Sequence, residues 1–336
     1  MISFNYHSLF RRTPKYIYIW AYIQKHPQET KRLLGMEYPK LLELISYGKL
    51  LKKEFEESKT TLIKAGGGNK PKLSEEEQIV LMLVYLRHYP TFQLLGIMFE
   101  ISESSAHNIF NYWQSLFGEN LPASLFEQLK KLPEEIEKVK EELIQHELIV
   151  DATEQPVERP LGQEAQKPYY SGKQKRHTSK SQIIICPKIK EIVDVVIGEI
   201  GSKSDVQILR QRLAKFHQEQ GFLGDKAYEG EFQLTTPKKK PKGGELSKEE
   251  KERNSWLSSR RVVVEHMIRL LKIFKVMQER FRLRKGRYKS IISTVCGLVR
   301  LRINSLILSI IKSSGSGQVI EVKMSHCFLP ELNLEV

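Results

Sequence analysis

Cysteine is scarce in this chain of 336 residues: Cys186, Cys296 and Cys327 stand far apart, and no CxxC spacing occurs. A disulfide framework or a structural zinc site needs paired or clustered cysteines, so we expect neither. No apolar run approaches the roughly 18 residues that a membrane-spanning helix requires, and the start has no signal-peptide layout. The sequence therefore predicts a protein of a reducing cytoplasm with no membrane contact.

Acidic residues are also in deficit, because 40 Asp and Glu face 54 Lys and Arg, for a net charge of +14. Between residues 260 and 302 the only acids are Glu265 and Glu279, among many cations. Lys and Arg neutralise phosphates and release counterions, so this excess favours a polyanionic partner. Charge alone leaves open whether that partner is nucleic acid or whether the protein binds nothing in particular.

Periodicity, composition and helix breakers divide the chain into five segments. They are predicted as a helical region ending in the Gly-rich linker AGGGNKPK (1–72), a helix-turn-helix domain (73–118), connecting helices broken at Pro133 (119–147), an α/β domain (148–310) and a tail (311–336).

The helix-turn-helix prediction rests on local signals in segment 73–118. Ser74 begins a capping box, Pro90 ends the first helix, and two short helices then follow, joined by the turn ISES with Ser102 or Ser104 as the cap. The last helix presents a polar face of the kind that reads DNA, formed by Ser105, His107, Asn108 and Asn111. A plain three-helix bundle without DNA contact gives the same pattern, so both interpretations stay open.

Two aspartates in the α/β segment follow short apolar runs. Asp151 follows Leu148 to Val150, and Asp225 follows Phe222 and Leu223 through a glycine, so both are predicted at strand ends. Active groups collect where strand ends open into loops. If these two strands are neighbours in the sheet, the two carboxylates face each other.

The residues between these aspartates predict the rest of a mixed sheet covered by helices. Runs 181–188 and 191–200 are rich in β-branched residues and predict a hairpin. A helix capped by Ser204 or Asp205 follows.

Two adjacent carboxylates favour a bound cation, since like charges within about 6 Å disfavour joint ionisation. Mg²⁺ takes oxygen ligands and leaves positions for substrate phosphate. Glu265 is the best third acid, because Arg261 and Lys272 lie four residues before it and seven after it, on one helix face. An ordinary Arg261–Glu265 surface ion pair is the competing interpretation of that helix.

Six motifs occur together in the order found in one protein family: VDATEQPVERP (150–160), KRHTSKSQIII (175–185), IVDVVIGEIGSKSD (192–205), GFLGDKAYEG (221–230), TPKKKPKG (236–243) and SSRRVVVEHMIRLLKIFKVMQERFR (258–282). The chain resembles DDE-superfamily transposases of bacterial insertion sequences, of the helix-turn-helix group (insertion-sequence family five type) that is also similar to Harbinger-type elements. The resemblance covers roughly residues 73 to 305.

This resemblance implies that Asp151, Asp225 and Glu265 are the catalytic, metal-binding residues. The implied fold is α/β, an RNase H-like mixed sheet flanked by helices and preceded by an all-α helix-turn-helix region. The implied cofactors are two Mg²⁺ ions, with Mn²⁺ as a substitute. The implied partner is double-stranded DNA, both element ends and target, bound by a homodimer or a higher synaptic complex in the bacterial cytoplasm, at the nucleoid.

The implied activity is DNA strand cleavage followed by strand transfer. A DNA-binding protein without catalysis, and a metal-dependent nuclease that cuts without joining, are the alternatives. Predicted DNA contacts outside the helix-turn-helix are Lys175, Arg176, Arg261, Arg269 and Lys272. Ser258 and Ser204 replace a tyrosine and a histidine that are usual in the family, and Asp205 is predicted to cap a helix and not to be catalytic.

Overall fold

The computed structural model describes residues 19–58, 71–312 and 318–324, with side chains as far as residue 306. Helices before the sheet are α1 (Ile19–Lys25), α2 (Thr30–Leu34), α3 (Tyr38–Ser58), α4 (Glu75–His88), α5 (Phe92–Met98), α6 (Glu103–Asn120), α7 (Leu125–Leu129) and α8 (Ile136–Ile144). The later elements are β1 (Leu148–Pro156), α9 (Gln163–Gln166), β2 (Tyr170–Ser171), β3 (Arg176–Cys186), β4 (Glu191–Ile200), α10 (Asp205–Leu213), β5 (Phe222–Leu223), β6 (Leu234–Thr235), α11 (Lys248–Lys272), α12 (Lys275–Gln278), α13 (Tyr288–Arg302), β7 (Leu306–Lys312) and β8 (Gln318–Met324).

The predicted mixed sheet flanked by helices is confirmed. Its main path runs β2-β3-β1-β5-β6, with β4 also paired to β3. The β3–β4 and β1–β3 pairs are antiparallel, whereas β5 is parallel to β1 and β6 is parallel to β5. Three antiparallel strands continued by parallel ones give the RNase H-like arrangement.

Side chains that alternate along β1 enter two apolar cores, one on each face of the sheet. Ile149 packs in the larger core, with α11, α13 and the N-terminal helices. Leu148 and Val150 pack in the smaller core, against α7, α8 and α10. Because strand side chains alternate between faces, Asp151 lies on the same face as Ile149, under α11.

The helical part before the sheet follows its sequence signals. Ser74 and Glu77 form the capping box of α4, and Tyr89 in the left-handed region ends that helix just before Pro90. Ser102 is the N-cap of α6, and its side chain accepts a hydrogen bond from the Ser105 backbone N–H. A break before Pro133 separates α7 from α8, as the sequence predicts.

The predicted strand end at Asp151 is wrong. The strand continues to Pro156, because residues 149–156 all pair with β3. The residues after Asp151 are mostly polar, so the sequence has no apolar pattern that would predict this extension. Strands β7 and β8 form an antiparallel hairpin that begins in the predicted α/β segment and ends in the segment predicted as a tail. Residues 1–18, most of the Gly-rich linker and residues 325–336 lie outside the described residues.

Arginines join the helical part to the sheet part. Arg287, just before α13, donates to the side chains of Asn111 and Gln114 on α6. Arg282 donates to the Tyr89 carbonyl and lies 4.0 Å from the centroid of its ring. These contacts hold α6 and the end of α4 against the domain that carries the aspartates.

Candidate active site

Asp151 and Asp225 lie on neighbouring parallel strands. Leu148 pairs with Phe222 and Ile149 with Leu223, so continuing this register by two residues places Asp225 beside Asp151. Each carboxylate is held by a nearby backbone N–H: Asp151 Oδ1 accepts from Ala152 at 2.8 Å, and Asp225 Oδ1 accepts from Ala227 at 2.8 Å. The two strands are therefore adjacent in the sheet, which was only an assumption from the sequence.

Gly224 allows the chain to reach Asp225 at this point. A Cβ on Gly224 would lie 3.0 Å from the Tyr228 ring, which is fully buried below the turn. The Tyr228 hydroxyl lies 3.1 Å from Gln182 Nε2, which donates to it. Burial of Tyr228 under a closely packed glycine fixes the turn that presents Asp225.

One face of α11 is turned toward Asp151. The Arg261 guanidinium lies 3.8 Å from Asp151 Oδ2, and Lys272 is close enough for an electrostatic interaction with the same carboxylate. These two cations are 11 residues apart, or about 16 Å along the helix. Asp151 therefore lies opposite the stretch between them, which contains Glu265.

Glu265 itself is exposed and lines an open groove with Arg269, Lys272 and Lys275. The competing interpretation, an Arg261–Glu265 ion pair, is not observed among the described residues, because Arg261 pairs with Asp151 instead. Cations that surround Glu265 give the groove a positive potential suited to a phosphate backbone.

Burial is the largest influence on the ionisation of this site, and it raises the pKa of Asp151. The Ala152 N–H and the Arg261 guanidinium act in the opposite direction, whereas nearby Asp225 and Asp205 raise the pKa further. Burial also lowers the pKa of Lys272, partly offset by Asp151. The two aspartates therefore repel each other in a partly desolvated site, which is the electrostatic condition that a bound cation relieves.

A buried ion pair lies beside the aspartates on the other face of the sheet. Lys180 Nζ lies 2.7 Å from Asp205 Oδ1 and 3.7 Å from Glu154 Oε1. Ser204 caps α10 through a capping box, so the cap is Ser204 and Asp205 is the first helical residue. The sequence analysis did not predict this ion pair. The pattern that could have indicated it is three polar residues at alternate positions of one strand, just before its apolar run: Thr178, Lys180 and Gln182.

The donor set fits a hard divalent cation, since the close pair supplies carboxylate oxygens. Within the described ranges, however, no three His, Cys, Asp or Glu side chains lie close enough together to hold a metal ion. The structure thus brings Asp151 near Asp225 and places Glu265 on the facing helix, without bringing all three within metal-sharing distance.

The predicted DNA-reading residues of α6 differ in their surroundings. Asn108 and His107 are exposed near the start of the helix. His107 Nε2 lies 3.0 Å from Asn111 Nδ2, and the side-chain oxygen Asn111 Oδ1 accepts a hydrogen bond from Arg287. The Ser105 hydroxyl lies 2.9 Å from that of Ser102, within the cap. Asn108 and His107 are therefore better placed for an outside partner than Asn111.

The remaining predicted contacts lie on exposed surfaces. Lys175, with a φ of 53°, occupies the turn between β2 and β3, and exposed Arg176 begins β3. Arg269 is exposed in the groove beside Glu265. By contrast, three lysines of the motif TPKKKPKG form ion pairs with acids, namely Lys238, Lys239 and Lys240. Among the residues that the structure describes, no helix is long and apolar enough to cross a membrane.

Two family models and a relative match this chain. Residues 150–300 match the family model of the DDE superfamily endonuclease, and residues 71–123 match that of the helix-turn-helix of DDE superfamily endonuclease. The chain is 34% identical over 229 residues to a probable transposase for insertion sequence element IS702 of Microchaete diplosiphon, covering 66% of this chain and 78% of that protein.

A solved structure, the crystal structure of a pre-cleavage Mos1 transpososome, matches with 10% identity over 68% of this chain and 86% of the other. Its TM-score of 0.17 is too low to support an inference.

Proposed function

We propose an activity for this chain, which belongs to the DDE-superfamily transposases of insertion sequences. It binds element ends, cuts a DNA strand and joins the new 3′ end to target DNA. Asp151, Asp225 and Glu265 are the proposed catalytic residues. The observation that carries this proposal is the adjacency of Asp151 and Asp225 opposite a helix face whose two cations both interact with Asp151.

The three acids are the proposed ligands of two divalent cations, Mg²⁺ or Mn²⁺. When bound, such ions activate an attacking hydroxyl and stabilise the leaving oxygen in phosphoryl transfer. Glu265, exposed on the facing helix α11, is the proposed third ligand. Arg261, whose guanidinium lies 3.8 Å from Asp151 Oδ2, is also proposed to contact the DNA phosphates.

Arg269 and Lys272 are proposed to hold the DNA backbone in the groove beside Glu265. Exposed Lys175 and Arg176 are proposed to contact the same DNA at a greater distance from the acids. Desolvation makes Lys272 a strong phosphate partner, because a half-buried cation gains most from a neighbouring anion. The start of α6, with Asn108 and His107, is proposed to read base edges.

The proposed substrate is double-stranded DNA, both the element ends and the target. An insertion sequence has two ends, so at least two copies of the protein are proposed to assemble with them. We infer a homodimer or a higher synaptic complex, with each copy contributing its own set of acids.

The test uses purified protein, DNA that flanks the gene as candidate ends, and Mg²⁺ or Mn²⁺, with separate readouts for binding, nicking and end joining. Asp225→Asn keeps the shape of the side chain and removes its charge. Glu229→Gln, four residues along the same exposed loop, is its matched control. The proposal expects Asp225→Asn to abolish nicking and joining while binding persists, and the control to behave as wild type.

Two results would replace the proposed function. Cutting without joining by the wild type means a nuclease without strand transfer. Binding without cutting by both the wild type and Asp225→Asn means a DNA-binding protein without catalysis. Glu265→Gln against Glu252→Gln on the same helix tests the third acid: equal nicking by both variants removes Glu265 from the proposal.

A further inference from the structure

Arg87, near the end of α4, reaches from the helix-turn-helix part of the chain to the helix that carries Glu265. It lies within residues 71–123, which match the helix-turn-helix family model. Its guanidinium donates a hydrogen bond through Nη1 to the backbone carbonyl of Ile273. Ile273 is the C-cap of α11 and directly follows Lys272. A side chain of the helix-turn-helix part therefore contacts the end of α11.

This hydrogen bond is made to a helix end that needs a donor. The last carbonyls of a helix have no intrahelical N–H partner and carry partial negative charge, so a cation that donates to them stabilises the helix end. Within the described ranges, no other side chain donates a hydrogen bond to residues 266–273. Met267 and Leu271 hold the same stretch by apolar packing.

The middle of α11 is held differently, by ion pairs with residues at the start of β1. Arg260 Nη1 lies 2.7 Å from Glu147 Oε2, and Arg261 Nη2 lies 3.8 Å from Asp151 Oδ2. The helix is thus tied to the sheet near its middle and to the helix-turn-helix part at its end. Glu265 lies between these two points of attachment.

Arg87 is half-buried at this contact. Burial lowers the pKa of its guanidinium, and no acid pairs with it among the residues that the structure describes. Its Nε is shielded from solvent and has no hydrogen-bond partner. Partial burial of a cation without an acid costs free energy that an apolar side chain would avoid. Stability alone therefore does not account for an arginine at this position.

The geometry of α11 connects this contact to the proposed catalytic groove, which Arg87 lines together with Glu265 and Lys272. At a rise of 1.5 Å per residue, the Ile273 carbonyl is about 12 Å from Glu265 along the helix axis. An α-helix of this length moves as a stiff rod, so a displacement of its end also displaces Glu265 and Lys272 relative to the sheet.

We infer that Arg87 is a positioning residue for the proposed reaction: by fixing the end of α11 it sets the position of Glu265 and Lys272 relative to Asp151. The inference rests on the proposed function, since it concerns the geometry of the proposed acids. The helix-turn-helix part then has a second role besides binding DNA, because it also supports the site in which DNA is cut.

The first test needs neither metal nor activity. Amide hydrogen exchange at residues 266–274 is compared in the wild type, Arg87→Met and Arg87→Lys. Methionine keeps an apolar stem without donors, whereas lysine keeps the charge and a donor that can reach the carbonyl. Loss of one charge-assisted hydrogen bond should make exchange in this stretch roughly tenfold faster in Arg87→Met, and Arg87→Lys should restore most of the protection.

The second test measures nicking of candidate element ends with Mg²⁺, and separates the rate at saturating DNA from the DNA affinity measured in EDTA. A misplacement of about 1 Å can cost about 100-fold in rate, so Arg87→Met should lower the saturating rate by roughly ten- to a hundredfold. Its DNA affinity should change by less than about twofold, because the lost interaction acts on the reaction step. Arg87→Lys should regain most of the rate.

Arg282→Met is the matched control. Arg282 joins the same two parts of the chain at the end of α4, through the carbonyl and ring of Tyr89, and its described contacts do not include α11. This variant should keep the exchange of residues 266–274 and the saturating rate close to the wild-type values.

Each other outcome overturns the inference. Equal effects of Arg87→Met and Arg282→Met assign the loss to the junction as a whole. Weaker DNA binding with an unchanged saturating rate makes Arg87 a phosphate contact only, and unfolding of both Arg87 variants, followed by circular dichroism, makes it a residue of the fold. Absence of nicking by the wild type defeats the proposed function, whereas wild-type nicking that Arg87→Met retains in full defeats this inference alone.

Discussion

Arg300 is buried where α13, β4 and the start of α7 meet, and replacing it tests how this junction is held. Its guanidinium donates to both Glu191 oxygens at 2.7 and 3.0 Å, to Gln128 Oε1 at 2.9 Å and to two backbone carbonyls. The Arg300 and Glu191 side chains are 0% and 4% exposed. Arg300→Met leaves similar apolar volume without the donors.

Arg300→Met should lower the free energy of unfolding, because it leaves the buried Glu191 carboxylate without its partner. Removing one member of a buried ion pair costs about 3–5 kcal/mol, because the other charge becomes buried and unpaired. Adding Glu191→Met removes that charge, and an apolar replacement of a whole pair is about neutral. The double variant should therefore be more stable than Arg300→Met alone by about 2 kcal/mol or more.

Urea unfolding followed by circular dichroism measures the effect. With a slope of about 3 kcal/mol per molar urea, Arg300→Met should lower the unfolding midpoint by about 1–1.7 M. Exposed Arg280→Met should change stability by less than about 0.5 kcal/mol. A midpoint for Arg300→Met equal to that of Arg280→Met, or no recovery in the double variant, would refute the reasoning.

Gly96→Ala should lower the melting temperature by several degrees, because its Cβ would lie 2.7 Å from the Ile101 carbonyl oxygen; Gly172→Ala, with nothing within 4 Å, should not. Asn108→Ala should weaken binding to element ends by about 1–3 kcal/mol and leave random DNA unaffected; an equal loss on both contradicts base reading. Lys272→Gln should reduce the salt dependence of DNA binding by about one phosphate contact, and an unchanged slope would place DNA elsewhere. Chelation by EDTA should stop nicking without releasing DNA, whereas nicking that persists in EDTA rules out metal dependence.

The positions of Asp151 and Asp225 just after buried apolar runs could be predicted from the sequence, whereas their adjacency could only be assumed, because it depends on which strands pair. The helix caps could be predicted as well, since Ser74 and Ser102 satisfy local N–H groups without help from distant residues. Local signals of this kind need no knowledge of which strands pair.

The rest depends on contacts between residues far apart in the chain. β1 extends past Asp151 because β3 pairs with it, and polar residues there gave no apolar signal. Val262 on α11 is 40% exposed although it is apolar, because α11 turns Val264 and Met267 toward the core. Lys180 is buried in an ion pair with Asp205, which lies 25 residues away. Its sequence neighbours therefore do not predict which acid it pairs with.

Under the proposed function, the bridge from Arg287 to Asn111 and Gln114 bears on where DNA would be cut. Through this bridge the helix that is proposed to read bases is held against the sheet that carries the aspartates. The separation between recognised bases and the reacting phosphate is then a fixed length of the protein, independent of the flexibility of the DNA. An element with a base pair inserted between those two points would be bound in full and cut at the wrong nucleotide.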